Sequence, residues 1–228
     1  MLIRATLLFL TALFTLGCEG EGVYRRTSHG WIWVTWNEGN GRQETSIPKA
    51  HSATFHPLDR AQYYAADSEH VYRCGEIIPG ANPESFVHVK DAWWKDRHAV
   101  YWQQFRIDGA DPATFMPLQH YGWAKDKHQG YQGDHPIPVH DPASFVSINE
   151  DWARDSKAYY VDNFTSEVKG ADYATFQILK GRYAKDRNHI YYGNRPIKGA
   201  DYETFRPVNA FWAKDRFRSY IGEEVRKN

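Results

Sequence analysis

The sequence predicts an all-β protein with short helical turns, built from tandem β-hairpin repeats of about 30 residues. Aromatic residues make up 16% of the 228 residues, and fifteen Tyr and nine Trp against two Met favour strands over a helical bundle. An aspartate recurs every 29 to 31 residues, and aromatic residues keep a fixed spacing to it. Internal repetition of this kind predicts stacked supersecondary units.

The repeated aspartate defines the register of the units. A Tyr or Trp lies three residues before it and a Tyr five residues after it, while a Phe forms a second series with the same period. The four series are Asp67, Asp96, Asp126, Asp155, Asp186 and Asp215; Tyr64, Trp93, Trp123, Trp152, Tyr183 and Trp212; Tyr72, Tyr101, Tyr131, Tyr160, Tyr191 and Tyr220; and Phe55, Phe86, Phe115, Phe145, Phe176 and Phe205. We expect the aromatic series to form the core, because one hairpin cannot bury its apolar face alone. The aspartate is expected to be a turn residue.

The segment from Tyr183 to Val208 shows the expected local structure of one unit. Two short strands flank the turn-forming sequence DRNH, which predicts a β-hairpin. Asp201 then precedes a single helical turn as its N-cap, and Pro112 and Pro142 occupy the first helical position in other units. Each unit is therefore predicted to be a hairpin followed by a capped turn.

The predicted organisation is a single repeat domain over residues 31–228. Its units are approximately 31–60 (half), 61–91, 92–120, 121–151, 152–181, 182–210 and 211–228 (half). The two half units are compatible with two arrangements. They can cap a curved, solenoid-like open array, which we favour, or they can complete one another in a closed, β-propeller-like ring.

The N-terminus has the features of an export signal of the lipoprotein type over residues 1–17. Arg4 precedes an apolar run that is too short to span a bilayer, and the run ends in Gly17-Cys18, which resembles a lipobox although Thr15 replaces the usual leucine. We therefore expect lipidation of Cys18, a membrane anchor, and a periplasmic location at the outer membrane. Residues 18–30 are expected to form a flexible tether.

Cys74 is the only other cysteine. It is interpreted as a small hairpin residue; an intermolecular disulfide and a Cys18–Cys74 disulfide are the alternatives.

The segments WAKDRF, WAKDKH, YAKDRN followed by HIYYGN, GADPATF and GADYETF resemble the DKNYY repeat family of bacterial exported proteins and lipoproteins. The resemblance covers residues 61–222, and 31–60 weakly. It implies a β-hairpin repeat and a location in the cell envelope. It implies no activity, cofactor or catalytic residue.

Composition and motifs argue against several functions. Lys plus Arg equals Asp plus Glu at 28 each, so no basic excess favours nucleic acid. The sequence lacks the nucleophile-elbow, zincin and P-loop motifs, and we therefore expect a protein that is not an enzyme and holds no cofactor. His120, His128, His135 and His140 follow no zinc-binding spacing, so no metal site is predicted.

Positions that depart from the repeat pattern are the candidate partner-binding residues. Trp94 replaces the alanine of other units and is expected to face solvent if Trp93 faces the core. The other candidates are Trp102, Phe105, Phe164, His128, His135 and His140.

Exposed aromatic residues are typical anchors of protein interfaces. The sequence therefore favours an envelope-anchored protein-binding module, such as an immunity lipoprotein that neutralises a toxic effector. A glycan-contacting structural lipoprotein is the first alternative, and an enzyme using the histidine-rich unit 121–151 is the second.

Overall fold

The computed structural model describes residues 22–47, 49–58, 63–161 and 166–226. It confirms the all-β prediction: seven small antiparallel sheets follow one another along the chain, and the described residues contain one 3-10 helix of three residues and no closed barrel. The chain divides into two compact units, residues 1–79 and 80–228. No described helix is long and apolar enough to cross a bilayer.

The first unit contains two sheets. A three-stranded sheet comprises β1 (Gly22–Thr27), β2 (Gly30–Asn37) and β3 (Gly41–Ser46). A four-stranded sheet comprises β4 (His56–Pro57), β5 (Tyr64–Ala66), β6 (Val71–Arg73) and β7 (Glu76–Ile77). Tyr24 and Trp33 from the first sheet pack with Phe55 and Tyr72 in one core cluster, which joins the two sheets.

The second unit contains five four-stranded sheets of the same design. The first sheet comprises β8 (Val87–Lys90), β9 (Trp93–Lys95), β10 (Val100–Trp102) and β11 (Phe105–Ile107). The second comprises β12 (Met116–Pro117), β13 (Trp123–Lys125), β14 (Gly130–Gln132) and β15 (His135–Ile137). The third comprises β16 (Val146–Ser147), β17 (Trp152–Arg154), β18 (Tyr159–Val161) and β19 (Ser166–Glu167). The fourth comprises β20 (Gln177–Lys180), β21 (Tyr183–Lys185), β22 (Ile190–Tyr192) and β23 (Arg195–Pro196). The fifth comprises β24 (Arg206–Pro207), β25 (Trp212–Lys214), β26 (Ser219–Ile221) and β27 (Glu224–Val225).

Each repeat is a four-stranded meander that contains the predicted hairpin and capped turn. The predicted hairpin forms the two central strands, for example β21 and β22, and the residues after each Phe add an outer strand. The predicted capped turn is a 3-10 helix at Tyr173–Thr175, where the Asp172 side chain accepts from the Thr175 N–H. In the following repeat the Phe205 N–H donates to the Asp201 carbonyl.

The four-stranded design moves the repeat boundaries. Trp212–Lys214 pairs with Arg206–Pro207, so the segment predicted as a half unit, 211–228, belongs to a complete sheet. At the other end, residues 31–46 pair with β1 in a separate three-stranded sheet and do not form half of a repeat. The split unit that would favour a closed ring is therefore missing from the described residues.

The tether expected over residues 18–30 differs from the structure from Gly22 onward. Residues 22–27 form β1, which pairs in register with β2. Gly22 is required by packing, since a Cβ at this position would lie 2.0 Å from the Trp33 ring. Residues 18–21 and the predicted signal segment 1–17 lie outside the described residues.

Candidate functional site

The repeated aspartate is the centre of a buried hydrogen-bond network in each repeat. Asp126 Oδ1 accepts from the N–H groups of His128 and Gln129 in its own turn, at 2.7 and 3.0 Å. Its Oδ2 accepts from the Tyr131 hydroxyl at 2.5 Å and from the Asp111 N–H in the preceding loop at 2.9 Å. One carboxylate thus joins a turn, a strand and a loop. Sequence reasoning assigned only the turn.

The same network recurs in all six repeats and shifts the pKa of both partners. Burial alone raises the pKa of Asp126, but the backbone and tyrosine hydrogen bonds outweigh it and lower the pKa below the ordinary value. For Asp215 the balance lowers the pKa to about 2. Burial and the hydrogen bond to the carboxylate raise the tyrosine pKa, to about 12 for Tyr220.

The second repeated feature is an aromatic interface between consecutive sheets of the second unit. The Trp93 ring contacts Phe115 and Tyr131 of the next repeat, with ring centroids 4.8 and 6.4 Å apart. The Trp152 indole N–H donates to the Gly181 carbonyl at 2.7 Å, which adds a polar contact to the same interface. Trp93, Trp123, Trp152 and Tyr183 are fully buried as a result.

At the last sheet the equivalent aromatic surface is exposed. Trp212 is 37% exposed, and its cross-strand neighbour Ile221 is 57% exposed. Phe211, next to Trp212 in the chain, is 66% exposed. We call Phe211, Trp212 and Ile221 the terminal face. Trp212 and Ile221 occupy the paired strand positions that Trp93 and Trp102 occupy in the first sheet of this unit, and Phe211 precedes the strand.

A row of cations forms a third repeated feature. It consists of the residue before each repeat aspartate in the second unit, and we call it the cationic row: Lys95, Lys125, Arg154, Lys185 and Lys214. The first four reach the loop of the next repeat, where they contact neutral groups. None forms a salt bridge with a carboxylate among the described residues.

The basic residue after the aspartate forms a salt bridge, unlike the members of the cationic row. Lys127 pairs with Asp111 at 2.5 Å, Arg187 with Asp172 at 2.5 Å, and Arg216 with Asp201 at 2.6 Å. Arg97 pairs with Glu84 in the same way. Of the two basic residues that flank the aspartate in these repeats, one is neutralised by a carboxylate and the other is not.

Family comparison agrees with this repeated geometry. The model described as the DKNYY family matches residues 37–163 and 93–224, two overlapping matches that together include all six networks. The chain belongs to the DKNYY family. The match confirms the resemblance in the sequence motifs. No curated protein and no solved structure matches the chain.

In this DKNYY protein, Trp94 is buried and not exposed. It lies on the opposite face of its strand from Trp93, as predicted, but its ring stacks on Phe86 with centroids 5.1 Å apart. The expectation of an exposed Trp94 is wrong because Phe86, from the loop before β8, covers this face of the sheet. Ala124 and Ala153, at the equivalent position, are also fully buried.

Two other predicted aromatic residues lie at one hairpin. Trp102 is half-buried and packs on Trp93, and its ring lies against Gly133 of the next repeat, whose added Cβ would be 3.5 Å from the indole nitrogen. Trp102 is thus mainly an interface residue. Phe105, its cross-strand neighbour, is 41% exposed and stays a candidate for partner contact. Phe164 and Cys18 lie outside the described residues.

The predicted histidines make separate contacts. His135 pairs with Asp134 at 2.7 Å, His140 pairs with Glu167 at 3.2 Å, and His128 is exposed in the turn after Asp126. His120 contacts Ser147. Among residues 22–47, 49–58, 63–161 and 166–226, no group of three or more His, Cys, Asp or Glu side chains has an arrangement that could hold a metal ion.

Cys74 forms a disulfide bond and is not a free hairpin thiol. It lies at a left-handed position, with φ of 51°, in the turn between β6 and β7.

The first sheet carries an exposed aromatic residue that the sequence analysis did not single out. Trp36 is 64% exposed and pairs across strands with Arg42. Both residues line a shallow groove of about 470 Å³ together with Arg25 and Val34. The alternating pattern of β2 could have indicated this position, because Trp36 lies on the face opposite Trp33, which packs in the core cluster.

Proposed function

We propose that this protein is a non-enzymatic protein-binding repeat module held at the periplasmic face of the cell envelope. The terminal face carries the proposal. Trp212 occupies the position whose aromatic side chain is buried in the preceding repeats of the second unit, and here it is exposed together with Phe211 and Ile221.

The chemistry of this surface defines what it can bind. Two aromatic rings and one aliphatic side chain form a small apolar patch, which is the typical composition of an interface hot spot. In two of the interfaces between repeats, the equivalent tryptophans Trp123 and Trp152 pack against an aromatic ring and donate their indole N–H to a backbone carbonyl. We therefore expect a protein partner that offers an exposed aromatic ring beside a free carbonyl group.

The scaffold supports a binding role because each repeat is held by a buried network and an aromatic interface. A surface held by such contacts loses little conformational entropy when it binds. Export by residues 1–17 and an anchor at Cys18 would hold the module at the outer membrane, as the N-terminal sequence predicts. A concrete form of the proposal is an immunity lipoprotein that binds and neutralises a toxic effector in the periplasm.

A second candidate function is contact with an envelope glycan. The observation that favours it is the exposed Trp36, which lies in the groove with Arg25 and Arg42. An aromatic ring beside guanidinium groups can stack on a sugar and donate hydrogen bonds to it. In this function the first sheet is the contact surface and the terminal face is not required.

The test is affinity capture followed by measurement of the dissociation constant. The mature chain is incubated with envelope extract and with secreted proteins of its own and competing strains, and the captured protein is purified and titrated against variants. We expect Trp212→Ala to weaken binding by about thirtyfold or more, as for an interface hot spot. Trp36→Ala is the matched control, because it removes a more exposed tryptophan from the other unit.

The two variants separate the two functions. Equal affinity of the wild type and Trp212→Ala for the captured protein would contradict the role of the terminal face. Retention on peptidoglycan or polysaccharide that is lost in Trp36→Ala would instead support the glycan-contacting function.

A further inference from the structure

The cationic row carries positive charge that neither the fold nor binding at the terminal face requires. Its members are the five basic residues that precede the aspartates in five consecutive sheets. Lys95 Nζ donates to the Pro112 carbonyl at 2.9 Å, and Lys125 Nζ donates to the Ala143 carbonyl at 2.8 Å. These acceptors orient the side chains but leave their positive charge without a neutralising carboxylate.

The next two cations also reach the following loop, where they contact a hydroxyl group and an aromatic ring. Arg154 donates to the Tyr173 hydroxyl at 2.8 Å, and Lys185 lies over the Tyr202 ring at 5.3 Å from its centroid. The cation therefore projects over the next loop in four consecutive repeats. One uncompensated charge is presented per repeat along the second unit.

Exposed apolar side chains accompany the first three cations. Val87, Met116 and Val146 lie on the outer strands and are the cross-strand partners of Lys95, Lys125 and Arg154, respectively. Each of the three is between 42% and 50% exposed. A shallow cavity of about 380 Å³ lies at the first of these pairs, and its other lining residues are Ser85, Asp96, Arg97, Pro112 and Ala113.

We propose that the cationic row and these apolar residues bind an acidic polypeptide segment of the partner. The row supplies charge complementarity, and its first three members lie on inner strands beside exposed apolar residues of the outer strands, so an extended chain can run across successive repeats. The apolar neighbours favour a polypeptide with apolar side chains over an acidic glycan. This inference rests on the proposed protein-binding function and names the chemistry of the partner.

The experiment measures binding of a fluorescein-labelled peptide of alternating glutamate and leucine to the mature chain by fluorescence anisotropy. The test variant combines Lys95→Gln, Lys125→Gln and Arg154→Gln. Glutamine keeps a donor for the neighbouring acceptors, so the repeats are expected to fold. The matched control combines Lys127→Gln, Arg187→Gln and Arg216→Gln, which removes the same charge from residues that are already paired with carboxylates.

We expect the test variant to weaken peptide binding by about tenfold or more, since each exposed ion pair contributes about two- to fivefold. The control is expected to change it by less than about twofold, and added salt is expected to weaken wild-type binding. Equal losses in both variants would overturn the proposal, because net charge and not the row would then determine binding. Binding of polygalacturonate but not of the peptide would also overturn it.

Two outcomes distinguish a failure of this inference from a failure of the proposed function. A captured partner that requires Trp212 but binds the test variant normally would contradict the cationic row alone. Absence of any protein partner, with peptide binding intact, would contradict the proposed function while the row's chemistry stands.

Discussion

At the scale of single residues, one carboxylate organises each repeat. Each of the six repeat aspartates accepts hydrogen bonds from its own turn, from the tyrosine five residues later and from the preceding loop. The sequence indicated the aspartate and the tyrosine by their spacing. It could not indicate the loop contact, because the N–H of Asp111 is a backbone group that any residue supplies.

Replacement of Asp126 by Asn tests this network. The amide keeps the size of the carboxylate, but its NH2 group replaces an oxygen that accepts hydrogen bonds. At least one of the four donors to Asp126 therefore loses its acceptor. We expect a loss of about 2–3 kcal/mol in the free energy of unfolding, measured by urea denaturation. Asp134→Asn is the control, because its exposed side chain contacts only His135 and should change stability by less than about 0.5 kcal/mol. Equal effects of the two substitutions would contradict a special role for Asp126.

The networks also predict how stability depends on pH. The aspartate pKa values are lowered in the folded chain, so their stabilisation is present above the unfolded pKa of about 3.8 and is lost as pH falls through the folded value, about 2 for Asp215. The tyrosine pKa values are raised, so their contribution is lost as pH rises from about 10 through about 12 for Tyr220. We expect the melting temperature to fall below pH 4 and above pH 10. A melting temperature that stays constant between pH 4 and pH 2 would contradict this assignment.

At the scale of elements, the inner sheets of the second unit are covered on both faces by neighbouring repeats. Ala124 packs toward Trp93 of the preceding sheet, while Trp123 packs toward Phe145 of the next repeat. The alternation of faces along a strand was correctly predicted for Trp93 and Trp94. The exposure of Trp94 was not, because periodicity within a strand does not reveal what lies against its second face.

The same packing explains why Gly130 replaces the usual apolar residue before Tyr131. A Cβ at Gly130 would lie 2.6 Å from the Phe145 ring, so no larger side chain fits. We expect Gly130→Ala to cost about 1–3 kcal/mol in the free energy of unfolding, measured by thermal or urea denaturation. Ser219→Ala, at the equivalent position of the last repeat, is the matched control and should be nearly neutral.

A second substitution checks the cause of that loss. Phe145→Leu in the Gly130→Ala background is expected to recover part of the stability, relative to the sum of the two single effects. Strict additivity of the two substitutions would show that the ring contact is not responsible.

At the scale of the whole molecule, the cysteines connect the fold to its proposed location. Cys74 is disulfide-bonded, and Cys18 is the only other cysteine in the sequence. A sulfur that carries a lipid thioether has no bond left for a disulfide. Lipidation of Cys18 would therefore require Cys74 to pair with a cysteine of another molecule.

Metabolic labelling with palmitate tests this choice in cells. With the proposed anchor, we expect label in the wild type and in Cys74→Ser, and its loss together with release from the membrane in Cys18→Ser. Non-reducing electrophoresis of the wild type should then show a linked species that Cys74→Ser removes. An unlabelled monomer without free thiols would instead indicate a Cys18–Cys74 disulfide and contradict the anchor.

The sequence by itself determined the fold class, the repeat period and the aromatic core, because these follow from residue types at fixed spacing. It also indicated the central hairpin of each repeat, since turn residues and short apolar runs are local signals. The family match confirms the motifs that carried the resemblance.

Only the tertiary structure decided the four-stranded boundaries, the burial of Trp94 and the exposure of Trp212. The outer strands are too short to be seen by periodicity, as two-residue pairs such as Arg206–Pro207 show. The repeat pattern predicted an exposed Trp94 and a buried Trp212, and the structure shows the reverse. Their exposure depends on which sheet or loop packs against them, and that contact is made by residues distant in the sequence.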